Sequence, residues 1–400
     1  MLRVRRRSAT QVVRSGRLAS SLEVEARNGE AADQAAPTAT LDEGRILTAC
    51  RRIGPSRHSR LGLECSASSN DGETVILPKF EYHRPRSLDE ALRTASSCGA
   101  DFDFVAGGTD LLPNYKQRLN PRGHVISLAR VPEMAGISQT RIGAAVTLSA
   151  LAGDPLVRRL WPVLADAAGK VASPLIRNSA TLGGNLLVET RCFFFNQSPA
   201  WRESLGFCLK AEGDECWVVP QKSICYATYS GDLAPVLQVL GASVILDSSL
   251  GGREVGLADF YRPDGIAKNV KHRDEVIREI RLPRPPAGLK ADYRKLRIRD
   301  TIDFPSMGSA VALVLGGRRI EALRISITAL DVVPLPMDEV TAPLAGETLG
   351  DALIEKIASE VEGRCRPLRN VPLTPPYRKK MVGVYVRDLL TKLREASRGA

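Results

Sequence analysis

Four cysteines, Cys192, Cys208, Cys216 and Cys225, fall within one 34-residue window at successive spacings of 16, 8 and 9 residues. Four thiolates can enclose zinc or an iron–sulfur cluster, because soft sulfur ligands suit both. No CxxC pair occurs, so the spacing by itself names no metal, and four inert buried thiols are an equal reading. Wide separations fit a loop that wraps a large cluster. The surrounding segment, Leu186 to Ser230, has no regular periodicity, and ligation is a means by which it would be ordered. The aromatic residues Phe193, Phe194, Phe195, Trp201, Phe207, Trp217 and Tyr226 interleave the thiols. They could exclude water from a redox centre or form a small satellite core.

Two glycine loops offer a second kind of chemistry. The first, Phe104-Val105-Ala106-Gly107-Gly108-Thr109-Asp110-Leu111-Leu112-Pro113, sets paired glycines directly after a buried apolar run. Glycine admits positive φ and lets backbone amides approach a bound anion. The second, Ile176-Arg177-Asn178-Ser179-Ala180-Thr181-Leu182-Gly183-Gly184-Asn185, again flanks paired glycines with small hydroxyl and amide side chains. Together they could grip the two phosphates of a dinucleotide from opposite sides. Taken singly, a Gly-Gly pair more often marks only a tight turn. Neither loop has the Rossmann or Walker spacing, which disfavours a nicotinamide-binding Rossmann domain.

The elements that must position these residues read as mixed α and β. Ser87-Leu88-Asp89-Glu90 is a capping box opening a helix that ends near Gly99. Phe102–Ala106, Val125–Leu128, Ile142–Val146, Ala242–Leu246 and Val276–Leu282 read as strands, and Leu156–Val171 as one helix. Pro283, Pro285 and Pro286 mark a boundary. Beyond it, Ser309–Leu315 and Ile320–Leu330 form a hairpin about Gly316-Gly317, followed by helices over Asp351–Glu362 and Lys379–Ala396.

Residues 1–74 differ from the rest: they are rich in Arg, Ser and Ala and contain no aromatic residue. A disordered extension, or a start assigned too early, is expected there, with fold-like patterning beginning at Val75. The opening residues have Arg runs but no apolar core of a secretory leader, and a cytoplasmic chain is expected. The formal charge is +11, yet residues 1–74 carry 12 Arg against 9 Asp plus Glu, and the remaining excess is dispersed. With aromatics at 5% and no aromatic interleaving of the basic runs, nucleic-acid binding is not indicated. No apolar run approaches the ~18 residues of a membrane span. The four histidines, His58, His83, His124 and His272, are scattered. No nucleophile with a partnered base is evident, so no catalytic residue is assigned and substrate chemistry is expected on another chain.

Ala106-Gly107-Gly108-Thr109-Asp110-Leu111-Leu112-Pro113 together with Thr181-Leu182-Gly183-Gly184-Asn185 resembles the FAD-binding medium subunits of the molybdenum hydroxylases. The resemblance implies an α+β fold. A two-subdomain FAD-binding domain of the PCMH/vanillyl-alcohol-oxidase type would span residues 75–286, and a small α+β domain of the CO dehydrogenase flavoprotein type residues 287–400. It implies FAD contacts from Val105, Ala106, Gly107, Gly108, Thr109, Asp110 and Leu111, and from Thr181, Leu182, Gly183, Gly184 and Asn185. Asp232 of Gly231-Asp232 would add a contact, and Lys295 would lie near the isoalloxazine. Read alone, Asp232 could be a helix cap and Lys295 a surface strand charge.

The segment Thr190-Arg191-Cys192-Phe193-Phe194-Phe195-Asn196-Gln197-Ser198, with Cys208-Leu209-Lys210, Cys225-Tyr226-Ala227-Thr228-Tyr229 and Asp300-Thr301-Ile302-Asp303-Phe304-Pro305, narrows the resemblance to the β subunits of 4-hydroxybenzoyl-CoA reductases. That narrower resemblance implies a 4Fe-4S cluster held by Cys192, Cys208, Cys216 and Cys225 in an insertion at about residues 186–230. It implies electrons from a ferredoxin, and a hetero-oligomer with a large molybdenum-cofactor subunit and a small 2Fe-2S subunit. The reaction would be reductive dehydroxylation of 4-hydroxybenzoyl-CoA. The flavin subunit of another molybdenum hydroxylase, a stand-alone flavin enzyme and a zinc-stapled interaction protein are the other readings.

Overall fold

The computed structural model describes residues 77–398 except Lys222. The expectation for residues 1–74 therefore lies outside the described residues. The chain opens with a small parallel sheet of β1 (Glu81–His83), β2 (Phe102–Val105) and β3 (His124–Ser127), in the order β1-β3-β2. The helix Leu88–Ser97 crosses from β1 to β2 and buries Leu88, Ala91, Leu92 and Ala95. Ser87 caps it by accepting the Glu90 amide at 3.1 Å. The reciprocal arm of the capping box lands one residue early, Glu90 accepting the Arg86 amide at 2.7 Å. Gly99, at φ +63°, turns the chain out of the helix.

A second sheet is antiparallel, with β4 (Arg141–Gly143), β5 (Ser243–Ser248), β6 (Gly251–Gly256) and β7 (Val276–Arg281) ordered β4-β7-β5-β6. Two expected elements differ here. The strand expected through Val146 stops at Gly143, because the Val146 amide turns back to the Gly143 carbonyl at 3.1 Å. The single helix expected over Leu156–Val171 is two, Pro155–Leu160 and Pro162–Gly169. Pro162 has no amide to continue the ladder and forces Trp161 out of helical geometry, to φ −136° and ψ 64°. The Trp161 ring is buried at the corner, and the break costs no packing.

The C-terminal part is an antiparallel meander of β8 (Lys290–Leu296), β9 (Met307–Gly316), β10 (Arg319–Thr328) and β11 (Leu335–Pro336). Pairing of Gly316 with Arg319 leaves a two-residue turn, and Gly317 takes its left-handed position at φ +64°. The helices Asp351–Arg364 and Pro375–Arg398 share a core with this sheet, through Ile357, Val361, Val386 and Leu390. The sheet also packs against the helix Leu233–Val239 of the preceding domain. That contact includes buried polar bonds: Ser326 donates to Gln238 at 2.6 Å, and Thr328 donates to the Gly231 carbonyl at 3.1 Å. No helix among the described residues is long and apolar enough to cross a membrane.

Candidate functional site: a dinucleotide cavity beside a thiol crevice

β2 ends at Val105, and the first glycine loop turns the chain into the helix Leu111–Lys116. The second loop leads into the short helix Leu182–Leu186, which Thr181 caps through the Gly184 amide at 3.1 Å. The loops meet backbone to backbone: a methyl added to Gly107 would lie 1.9 Å from the Ser179 carbonyl oxygen. Beside this contact is a cavity of about 970 Å³, at the large end of small-molecule sites. Val105, Ala106, Gly107, Gly108, Thr109, Asp110, Leu111, Thr181, Gly183, Gly184, Asn185 and Asp232 all line it. Leu182 and Lys295 do not; Leu182 is wholly inside the core.

The two loops differ in what they offer. Among the described residues, the amides of Gly107, Gly108 and Thr109 have no acceptor. Those of Leu182, Gly183, Gly184 and Asn185 are bonded to Val146, Ala144 and, for the last two, Thr181. Free successive amides are what an anion needs. The pair of equal cradles expected from sequence is therefore one donor loop and one loop that brings bare backbone to the cavity wall. Thr181 caps the Gly184 amide, and the carbonyls of Val146 and Ala144 take those of Leu182 and Gly183.

Several lining residues escaped the sequence reading. Arg191, Lys268, Lys271 and Arg273 bring positive charge to the cavity, and the run Lys268-Asn269-Val270-Lys271-His272-Arg273 was the available signal. Arg191 pairs with Asp110 and lies 4.4 Å from the centre of the Phe304 ring. Lys268 pairs with Glu189 at 2.8 Å. Lys271 donates to the carbonyls of His272 and Glu275 at 2.8 and 3.0 Å, and burial pulls its ammonium down to about 8. Unpaired amides, cations and an apolar stretch including Leu128, Met134 and Ile277 fit a ligand with a diphosphate and a flat ring.

Asp232 and Lys295 have a different setting from either simple reading. Asp232 precedes the helix Leu233–Val239 but caps nothing; the Leu233 amide goes instead to the Asn185 side chain at 3.0 Å. The Asp232 carboxylate accepts from Tyr293 at 2.9 Å and from Lys295 at 3.2 Å, both reaching in from β8. Lys295 is buried, not a surface charge, and also donates to the carbonyls of Lys170 and Asp303 at 3.3 and 3.0 Å. Burial pushes Asp232 above its ordinary value, with Lys295 and Tyr293 pulling the other way.

Cys192, Cys208, Cys216 and Cys225 are all buried and line one crevice with Phe194, Phe195, Lys210 and Trp217. Phe194 stacks on Trp217, while Phe193, Trp201 and Phe207 are largely exposed. Amides point at sulfur: Tyr226 to Cys216 at 3.5 Å and Ala227 to Cys225 at 3.4 Å. Burial pushes the Cys225 thiol up to about 12, against the pull of Lys210. Burial also raises Cys192, opposed by the amides of Phe194 and Phe195. Asn370 anchors the segment, donating to the Tyr226 carbonyl, accepting from Thr228, and accepting the Phe193 amide on its own carbonyl. No three of the four sulfurs lie within 4.8 Å of one another. A tetrahedral zinc at about 2.3 Å would hold them about 3.8 Å apart, whereas thiolates on separate irons stand farther apart. The crevice measures only about 10 Å³, so a cluster would require the thiols to part.

A chain with this cavity and these two domains matches known families over most of its described length. Residues 78–285 match the FAD binding domain in molybdopterin dehydrogenase, and residues 291–393 match the CO dehydrogenase flavoprotein C-terminal domain. The chain belongs to the family of FAD-binding medium subunits of the molybdenum hydroxylases. It is 28% identical over 321 residues to the carbon monoxide dehydrogenase medium chain of Hydrogenophaga pseudoflava, covering 79% of this chain and 97% of that one. It is 35% identical over 249 residues to an aldehyde oxidoreductase FAD-binding subunit of Escherichia coli, covering 59% of this chain and 77% of that one. The solved structure of the Hydrogenophaga pseudoflava carbon monoxide dehydrogenase superposes with a TM-score of 0.66 at 26% identity, over 80% of this chain and 99% of that one. The expected α+β FAD-binding fold with its C-terminal domain is the fold found, and the chain is an FAD-binding oxidoreductase subunit.

Three outcomes follow from this geometry. Gly107→Ala should drive the two loops apart, at a cost of about 1–3 kcal/mol, and sharply lower flavin content after desalting. Gly153→Ala, where added carbon meets nothing within 4 Å, should leave it unchanged. FAD affinity, followed by flavin fluorescence, should weaken as pH rises through about 8, because Lys271 loses its proton and one cation leaves a cavity that holds an anion. Lys271→Met should abolish that dependence. Lys295→Met should destabilise urea unfolding by about 3–5 kcal/mol, since Asp232 is left buried without its cation, and adding Asp232→Leu should recover most of the loss.

Proposed function

We propose that the chain is the FAD- and 4Fe-4S-bearing electron-transfer subunit of a molybdenum-containing aryl-CoA reductase. Its complex would act in reductive dehydroxylation of 4-hydroxybenzoyl-CoA with a ferredoxin as donor, alongside a large molybdenum-cofactor subunit and a small 2Fe-2S subunit. The observation that carries the cluster is the convergence of Cys192, Cys208, Cys216 and Cys225 on one buried crevice from a segment with little regular structure. Amide-to-sulfur hydrogen bonds at Cys216 and Cys225 are of the kind that tune cluster potentials.

FAD, when bound, supplies a carrier whose electronics the protein tunes. The chain's own residues do the holding. In this reading, the amides of Gly107, Gly108 and Thr109 meet the diphosphate. Lys268, Lys271 and Arg273 supply positive charge, and Asp232 stands at the wall with Lys295 behind it. Lys295 is shared between Asp232 and Asp303, at 3.1 and 3.7 Å. Its charge is therefore balanced locally, and its proposed part is to fix Asp232 against the cavity.

The flavin subunit of another molybdenum hydroxylase is the second reading, favoured by the identity to carbon monoxide dehydrogenase and aldehyde oxidoreductase subunits. A zinc-stapled insertion is disfavoured by the spread of the sulfurs. Anaerobic purification with iron, sulfide and flavin quantification separates these. Four irons and one FAD per chain, with an EPR signal on reduction that disappears in Cys208→Ser, are the expected result. Stoichiometric FAD without iron would remove the cluster and leave the second reading standing.

A further inference from the structure

Away from the cavity and the thiol crevice, one more set of ligating side chains comes together. His83 on β1, His124 on β3 and Cys98, the residue after the helix Leu88–Ser97, each place a nitrogen or sulfur within 4.8 Å of the other two. Topology brings this about. β1 and β3 are parallel neighbours, with Glu81 opposite His124. Strand residues two apart share a face, so Glu81, His83 and His124 project from the same side. The helix packs on β3 and delivers Cys98 to that side.

The spacing is that of chelation. His83 Nε2 and His124 Nδ1 are 3.1 Å apart. Two imidazoles on one tetrahedral zinc, each at about 2.0–2.1 Å, hold their nitrogens about 3.3 Å apart. Both of these nitrogens also face Glu81, whose carboxylate oxygens lie 3.7 Å from His83 Nε2 and 3.5 Å from His124 Nδ1.

We propose that His83, His124 and Cys98 form a three-ligand zinc site, its fourth position left to water, separate from the FAD cavity and from the four-cysteine crevice. Two imidazoles and one thiolate suit a borderline-soft ion. Calcium and magnesium would require an all-oxygen set. The His83 and His124 side chains are 22% and 31% exposed and Glu81 is 66% exposed, so the ion is reachable from solvent. Bound there, it fastens the three-residue edge strand β1 to β3 and to the following helix.

The test uses the full FAD-loaded chain given one equivalent of zinc. Zinc X-ray absorption of the wild-type protein should show two imidazoles and a single sulfur around the ion. Cys98→Ser and the double variant His83→Ala/His124→Ala, each checked for unchanged flavin content, should each bind one zinc fewer. Zinc should raise the unfolding temperature of the wild type and leave both variants unmoved. A coordination shell of four sulfurs, or equal zinc binding in the wild type and either variant, would overturn the proposal and leave a simple histidine–histidine hydrogen bond.

Discussion

Glu189 stands where the cavity wall meets the cysteine segment, and the arrangement of both depends on its ion pairs. Its carboxylate takes Lys210 on one side and Lys268 on the other. Its neighbour Thr190 and the Gly265 carbonyl share the Lys210 ammonium. Removing charges from water costs several kcal/mol per ion. Here burial alone would raise Glu189, but the two lysines outweigh it and hold the carboxyl well below the usual range. Each lysine also bonds nearby oxygens, Lys210 that of Gly265 and Lys268 that of Leu187, so the ion pairs tie several backbone segments to one carboxylate. Val188, Glu189 and Arg191 line the cavity, and Cys192, next along, lines the crevice. One short, electrostatically pinned run of chain therefore places the wall of the cavity and the first thiol of the crevice.

The C-terminal domain completes this arrangement. Buried polar groups require partners, and several in the FAD-binding domain find theirs across the boundary. Asp232 receives Tyr293 and Lys295, Gln238 receives Ser326, and the Gly231 carbonyl receives Thr328. Asn370, fully buried, does the same for the cysteine segment through Thr228 and Tyr226. Within the C-terminal domain, buried Arg378 donates to the carbonyls of Ala329 and Leu368, while its Nε finds no partner among the described residues. The two domains are thus joined by a specific polar pattern in addition to apolar contact.

Where the sequence reading and the structure diverge, one reason is local and two come from distant parts of the chain. Apolar spacing over Leu156–Val171 is helical throughout, and only Pro162 marks the break that the Trp161 corner makes. The Asp232-Leu233 step has the form of a cap, yet Asn185, 48 residues away, makes the contact with the Leu233 amide. Lys295 stands beside Arg294 in a basic stretch like a solvated strand charge, but its side chain reaches Asp232 of the preceding domain. The last two outcomes leave no mark at the position itself, because each depends on an element far away in the chain.

The sequence by itself determined the glycine loops, the mixed α and β pattern with several of its strands, the capping of the first helix, the C-terminal hairpin and the four thiols as a set. These rest on short-range physics: backbone freedom at glycine, side-chain periodicity, hydroxyl capping and ligand softness. Only the tertiary structure decided that one loop keeps its amides free while the other bonds its own. It alone put Arg191 and Lys271 beside the cavity, buried Lys295 against Asp232, and brought His83, His124 and Cys98 within a few ångströms. Those facts are set by contacts between segments tens of residues apart, and no local pattern in a chain encodes which distant partner will satisfy a buried charge.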